Sequence, residues 1–455
     1  MRAKTIPCVV GGLAALCFGG GATPGLADPV YFDTGIRIPV PPSSDNTNGT
    51  PGPLTGALTS YDIMWFDGNT QLVYLADRSN ASVDVFSAKT NSFVGRIGGL
   101  NHEFVGQNPP PPAPPVTAMS GPDGLVISNL PGQHNIYVGD GNSQLKSYNL
   151  DSGVVLNPAL VAGARLPFVT TGSAATDRRV DEMAFDPVHN RVLAANNAPT
   201  NGIPFATLIN TTGNANTIVT KITFDGTNAD GHNAPNAGGA NGGAEQSVFD
   251  PTTGKFYLNL VALNNTGPGA VVRIDPLTGN VEKVYDLAAL GLGANGVCGP
   301  AGLAVDAAGK LLVGCGSATP TGSIFLDPAA NGGNGSIKTI PQVSGEDMVW
   351  YDPVIKLFFL AARNDLSGPK LGIVDDSGNW LQNLVTSPGA HSVAVDPVSH
   401  EAFVPFGGAG PGGVVNSQCA LGCIAVFDVV PEPSTLLLLG AGLLGFGSFA
   451  WRRRA

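Results

Sequence analysis

One segment recurs along the whole chain: an apolar run that closes on Asp or Asp-Pro, a short turn, and a second strand-like run. The clearest copies are Ile63 to Asp67 with Leu72 to Ala76, Met183 to Pro187 with Arg191 to Ala195, and Ser247 to Pro251 with Phe256 to Leu258. Three more follow: Leu303 to Asp306 with Leu311 to Gly314, Val349 to Pro353 with Leu357 to Ala361, and Val393 to Pro397 with Ala402 to Pro405. A weaker copy, Gly124 to Ser128 with Asn135 to Gly139, closes on serine. The seven closing positions, Asp67, Ser128, Asp186, Asp250, Asp306, Asp352 and Asp396, lie 44 to 64 residues apart.

Each unit continues with an alternating run and a turn, as in Val83 to Phe86 or Val271 to Ile274, and then a fourth run such as Ser92 to Arg96 or Val281 to Tyr285. Period-two alternation places successive side chains on opposite faces of a strand. Four short strands per unit, joined by Gly, Asn and Asp-Pro turns, describe a β-propeller blade. The expected fold is therefore all-β: a propeller of seven four-stranded blades over residues 28–430, with six or eight blades also compatible because the second copy is weak. An irregular β-sandwich is the competing arrangement. The repeats resemble YVTN and NHL-type propellers in pattern. The last unit stops at its third strand, Cys423 to Asp428, so its fourth is expected from Val30 to Asp33 and Gly35 to Pro39. Closing the ring in this way removes the sheet edges that invite aggregation. Asn108 to Pro115 and Asn228 to Gly243 read as excursions between blades.

Both ends read as targeting segments. Arg2 and Lys4, the apolar run Val9 to Phe18 and small residues up to Ala27 make residues 1–27 a signal peptide, formed as an N-terminal helix and cut after Ala27. Leu16 before Cys17 argues against lipoprotein processing. At the other end Ser434 to Trp451 is 18 residues without a charge, followed by Arg452, Arg453 and Arg454. That length just spans a bilayer as a transmembrane helix, and the arginines would stay cytoplasmic. Pro431, Glu432 and Pro433 precede it, and this three-part arrangement over residues 431–455 resembles the PEP-CTERM sorting signal of Gram-negative bacteria. The resemblance implies a transient inner-membrane anchor recognised by an exosortase-type protease, with the passenger then delivered to the cell surface or extracellular matrix. A permanent anchor is the simpler alternative.

The whole chain carries −11. Five of its 23 basic residues and one of its 34 acids lie in the two end segments, so the passenger carries −15. Nucleic-acid binding draws on Lys and Arg, and this balance excludes it. The membrane enters only through the C-terminal tail. An acidic passenger suits cationic partners or divalent metals. Four cysteines remain after export, and an even count in an oxidising compartment points to two disulfides. Cys419 and Cys423 close a small loop and Cys298 and Cys315 lie within one repeat, so those are the expected pairs; a zinc site is the alternative that the spacing disfavours.

Five positions before each closing residue stand Asp62, Asp123, Asp181, Glu245, Ala301, Asp347 and His391. In a propeller these open the innermost strands and face the axial channel. At an assumed spacing of roughly 8 Å and an effective dielectric near 20, each pair of neighbouring like charges costs about 2 kcal/mol. A cation would relieve that repulsion: oxygen ligands favour Ca²⁺, and His391 with a second histidine would admit Zn²⁺. Asp62, Asp123, Asp181, Glu245, Asp347 and His391 are thus the candidate metal ligands. The competing role is structural, with each acid satisfying its neighbouring blade. Asp77, Asp140, Asn142, Asn196, Asn197, Asn264, Asn364, His102, Glu103, Asp230 and His232 are expected on the same face. His134, His189 and His400 read as solvated turn residues of the opposite face.

No H-E-x-x-H, G-x-S-x-G or P-loop motif is present, and the G-x-G-x-x-G matches at 291–296, 408–413 and 440–445 lack the strand-to-helix setting that gives such a motif meaning. No catalytic residue is assigned and no cofactor is required beyond the candidate Ca²⁺. The expected function is an exported binding or structural propeller of the cell envelope or extracellular matrix, with the processing protease and exopolysaccharide or envelope proteins as partners. The alternative is a Ca²⁺-dependent hydrolase similar to the gluconolactonase-like enzymes, which cleave lactones or phosphotriesters. Ala301 interrupts the ligand ring that reading needs.

Overall fold

Each apolar run that closes on an aspartate forms the innermost strand of a four-stranded antiparallel sheet. The computed structural model describes residues 30–45, 56–99, 102–109, 116–151, 164–197, 199–293, 297–317, 319–408 and 419–430. The expected signal helix, the C-terminal transmembrane helix and the Pro431, Glu432, Pro433 motif lie outside the described residues.

The first blade comprises β2 (Met64–Asp67), β3 (Leu72–Asp77), β4 (Ser82–Ser87) and β5 (Ser92–Gly98), counted after β1 (Tyr31–Pro39). The second holds β6 (Leu125–Leu130), β7 (Gln133–Asp140), β8 (Gln144–Asn149) and β9 (Val169–Thr170). The third runs β10 (Met183–Asp186), β11 (Arg191–Asn196), β12 (Phe205–Asn210) and β13 (Thr217–Thr223). The fourth runs β14 (Ala244–Asp250), β15 (Lys255–Leu260), β16 (Ala270–Ile274) and β17 (Val281–Asp286). The fifth contains β18 (Pro300–Val305), β19 (Leu311–Cys315), β20 (Ser323–Asp327) and β21 (Ser336–Ile340). The sixth contains β22 (Glu346–Asp352), β23 (Leu357–Ala362), β24 (Lys370–Asp375) and β25 (Trp380–Val385). The seventh orders as β26 (Ala394–Val395), β27 (Ala402–Phe406), β28 (Cys423–Val429) and β1. The protein is a seven-bladed β-propeller, and the weak second repeat is a full blade.

Among the described residues the buried apolar side chains fall into seven clusters, one between each pair of neighbouring blades. An open row of seven sheets would have six such layers; the seventh, joining Ile38, Phe403 and Ile424 of the last blade to Met64, Val73 and Phe86 of the first, closes the ring. The expected N-terminal strand is continuous: β1 pairs with β28 from Tyr31 opposite Val429 to Pro39 opposite Cys423, with a register shift between Asp33 and Arg37. Val430 N donates to Val30 O at 2.7 Å, so both ends of the passenger leave from one edge of the seventh blade.

The recurrent aspartate has a structural cause. In all six copies Oδ1 accepts the backbone N–H two residues on, at 2.7–3.0 Å. This Asx turn satisfies a donor that the tight first hairpin would leave unpaired. Ser128 of the second copy instead donates to Gln133 O. Two of the three turn histidines are not solvated as expected: His134 reaches back to Asp67 of the previous blade (Nε2 to Oδ2, 2.9 Å) and His400 to Asp352 (Nδ1 to Oδ2, 2.8 Å). Asp352 leaves Oδ2 to His400 while its Oδ1 serves its own turn, whereas Asp67 Oδ2 meets both Thr70 Oγ1 of its own turn and His134. His189 stays with Asp186 of its own blade at 2.7 Å.

Cys298 and Cys315 form one disulfide, and Cys419 and Cys423 the other. The first ties the segment entering the fifth blade to the end of β19; the second braces the start of β28.

Candidate functional site: an ionic channel mouth

The innermost strands all open at one end of the channel, and that shared start brings the expected residues together. Oxygens of Asp62, Asp123 and Asp181 lie within 4.8 Å of one another, as do ligand atoms of Asp62, Asp347 and His391. Glu245 joins through Asn197, whose Nδ2 donates to Asp181 Oδ2 at 2.9 Å and to Glu245 Oε1 at 2.6 Å. All six candidate residues therefore meet at the axis. Ala301, at the equivalent place in the fifth blade, contributes no charge.

Two arginines that sequence reasoning did not place here occupy the middle of the group. Arg78, in the turn after β3, donates from Nε to Asp123 Oδ1 at 2.6 Å, from Nη1 to Tyr61 O at 2.7 Å, and from Nη2 to Asp62. Arg179, in the segment leading to β10, pairs with Asp181 at 2.5 Å, with Asp123 at 3.5 Å and with Asp62 at 3.8 Å. On the far side Arg363 pairs with Asp347 at 3.1 Å, and His391 Nε2 lies 3.6 Å from Asp62 and 3.9 Å from Asp347. His391 stacks on Tyr61 with ring centroids 4.7 Å apart. Its Nδ1 meets Gly389 O at 2.6 Å and its Nε2 lies 3.2 Å from Tyr61 O, so both ring nitrogens face carbonyl oxygens.

Burial opposes ionisation of Asp62, but Arg78, Arg179 and His391 outweigh it and hold its carboxyl below the usual range. Glu245 goes the other way: burial, together with repulsion from Asp181 and Asp347, raises it well above the ordinary glutamate range. Glu182, absent from the sequence-derived candidates, lies beside Glu245. It is 4% exposed, and burial plus Glu245 and Asp181 push it well up. Asp123 and Asp181, although paired with Arg78 and Arg179, are also raised by burial, so Asp62 is the one acid of this trio that its cationic neighbours hold down. A cation would find carboxylates here, but the Asp62, Asp123, Asp181 set already holds guanidinium groups in the place a metal would take.

Of the other residues expected on this face, Asn197 alone among those described joins the group. Glu103 turns to the outer part of the second blade, accepting from Tyr148 Oη at 2.8 Å and Arg165 Nε at 2.9 Å. Asp140 pairs with Lys146 at 2.7 Å, and His232 meets Thr220 Oγ1 at 2.8 Å. The signals for the missed residues were local: Arg78 follows Asp77 at a strand end, and Arg179 stands two residues before Asp181, where its side chain shares that acid's direction. Nothing in the arrangement favours the hydrolase alternative.

With the geometry in place, the comparisons resolve the C-terminal segment. Residues 429–454 match the PEP-CTERM protein-sorting motif. The chain carries a PEP-CTERM sorting motif. The motif begins on the last residue of β28, so propeller and sorting motif adjoin with no linker between them. A chain bearing it is exported and sorted to the cell surface through the exosortase system. Among solved structures, the chain is similar to Chaetomium thermophilum Raptor at 14% identity and TM-score 0.51, over 86% of this chain and 29% of that one. It is also similar to the Myceliophteria thermophila Cps50 (Swd1) β-propeller domain at 12% identity and TM-score 0.51, over 83% of this chain and 99% of that one. The chain spans less than a third of the Raptor structure, and both likenesses concern the propeller fold alone. No curated protein matches in sequence.

Proposed function

We propose that this chain works as a binding or structural propeller of the cell envelope or extracellular matrix, presented there by its sorting motif and an exosortase-type processing protease. One observation carries the reading: the ring is complete by Val430, before Pro431, Glu432 and Pro433. β1 closes the seventh blade against β28, and the Val430 to Val30 hydrogen bond marks the end of that closure. Processing beyond Val430 therefore removes no strand, and the released passenger keeps all seven interfaces between blades. The mouth charges serve that role as internally paired clasps between blades. The passenger's net −15 makes anionic polysaccharide a poor direct partner, so Ca²⁺ acts as the bridge between acidic surface and matrix.

Cell fractionation and matrix retention test the proposal. The full chain reaches the surface and matrix fraction, and a chain lacking residues 431–455 does not. The surface form is retained on the host exopolysaccharide with Ca²⁺ and released by EDTA. Equal distribution of the two chains, or no retention on any matrix component with Ca²⁺ present, would overturn it.

A further inference from the structure

The far end of the channel is chemically the opposite of the ionic mouth. A cavity of about 410 Å³ opens there on the face of the Asx turns, beside the exposed Asn129 and Pro187. Its walls include Trp65, Phe185, Phe249, Val305, Trp350 and Tyr351, and among the described residues none lining it carries a charge. Trp65 and Trp350 meet edge to face with centroids 5.1 Å apart, although they belong to the first and sixth blades. The intervening blade allows this because it offers only Ala394 at the equivalent position.

Gln246 closes the inner end. It is 6% exposed, and its Oε1 accepts Leu303 N at 2.6 Å and Val349 N at 3.3 Å, tying the fourth blade to the fifth and sixth. With the oxygen engaged twice, the amide orientation is fixed and Nε2 makes no hydrogen bond among the described residues. Ser247 Oγ, of the next residue in the lining, is buried and also without a partner. Gln246 Nε2 stays accessible, which makes it the donor a ligand acceptor in the cavity can meet.

We infer that this cavity binds a small uncharged aromatic molecule carrying one hydrogen-bond acceptor. The volume falls in the range of small-molecule sites, which combine apolar walls with a few placed polar groups. Edge-to-face tryptophans suit a planar ring. A charged ligand is excluded because its lost hydration would find no counter-charge. The inference is independent of the proposed function, since it concerns the opposite end of the channel.

N-phenyl-1-naphthylamine, an uncharged aromatic whose emission rises on leaving water, is the probe for the purified full-length protein. Saturable binding is expected, and 2-acetylnaphthalene should displace the probe at a concentration about threefold or more below that needed for 2-isopropylnaphthalene, its near-isostere without an acceptor. Val305→Trp, which fills the space, and the pair Trp65→Leu with Trp350→Leu, which strips the aromatic wall, each weaken probe binding about tenfold or more. Trp380→Phe, on the outer strand β25, leaves it unchanged. Circular dichroism and the melting midpoint identify which variants retain the fold, and at least one of the two cavity designs must do so for the comparison. Absence of saturable binding, equal displacement by the two naphthalenes, or unchanged affinity in a folded cavity variant would overturn the inference.

Discussion

Arg78 of the first blade donates from Nε to Asp123 Oδ1 of the second at 2.6 Å, while its Nη2 holds Asp62 of its own blade. One side chain thus joins two blades at the channel mouth, with both carboxylates buried. Breaking such a pair leaves a buried charge uncompensated, which costs about 3–5 kcal/mol. Arg78→Met should lower the unfolding free energy by about that amount in urea titrations. Adding Asp62→Asn and Asp123→Asn to the same variant should restore at least half of the loss, because the stranded charges are then gone. No recovery would mean that the loss is one of packing.

Stability should fall as pH rises from about 4.5 to 7. Burial pushes Glu346 up to about 7, where its carboxyl accepts Cys315 N–H at 3.0 Å and the Ser323 hydroxyl at 2.5 Å. The folded state then binds more protons than the unfolded chain in that window, so its advantage is complete at the acid end and lost above it. The magnitude for Glu346 alone is about 3 kcal/mol. Glu182, Glu245, Asp77, Asp123 and Asp181 act in the same direction. Asp62 has the opposite sign, and its contribution is lost only as pH falls below the ordinary aspartate range. Glu346→Gln should raise the urea midpoint at pH 8 and leave it nearly unchanged at pH 5.

In the absence of polysaccharide, calcium should leave the melting midpoint of the native chain unchanged, because Arg78 and Arg179 already occupy the space among Asp62, Asp123 and Asp181 and the proposed bridge needs the matrix glycan as its second partner. A metal at 100 times its dissociation constant would add about 2.7 kcal/mol, an effect that melting curves resolve. In Arg179→Met the freed carboxylates should acquire a Ca²⁺-dependent midpoint. A stoichiometric metal co-purifying with the native chain would contradict the paired-charge account.

Removing β1 should open the ring. Without residues 30–39, β28 becomes an exposed edge strand and Ile38 leaves the layer between the seventh and first blades. Exposed edges pair with other chains. Light scattering should therefore show concentration-dependent oligomers, absent from the intact protein.

The blades were legible because their cause is local: the Asx turn needs an aspartate at a set offset, and strands alternate with period two. The missing fourth strand of the last blade was legible for a topological reason, since Cys423 to Asp428 had no partner left downstream. The positions of Asp62, Asp123 and Asp181 followed from the same repeat. Arg78 and Arg179 were harder to read, because they come from a turn and a connecting segment outside the repeated frame, and their contacts with Asp123 and, for Arg179, with Asp62 depend on how neighbouring blades pack. The same holds for His134 and His400, whose partners lie 67 and 48 residues away. The apolar cavity depends on side-chain size at one position in different blades, Trp65 and Trp350 against Ala394, and no single repeat reveals it.

The central claim is that a complete propeller is delivered by a removable sorting motif. Intact-mass measurement of the protein recovered from the cell surface tests it most directly, in a host with and without its exosortase-type protease. The account predicts a mature chain that begins at Asp28, retains β28 and lacks the apolar stretch 434–451, with the uncut tail accumulating when the protease is absent. A surface form that ends at Ala455, or the same mass in both hosts, would contradict it.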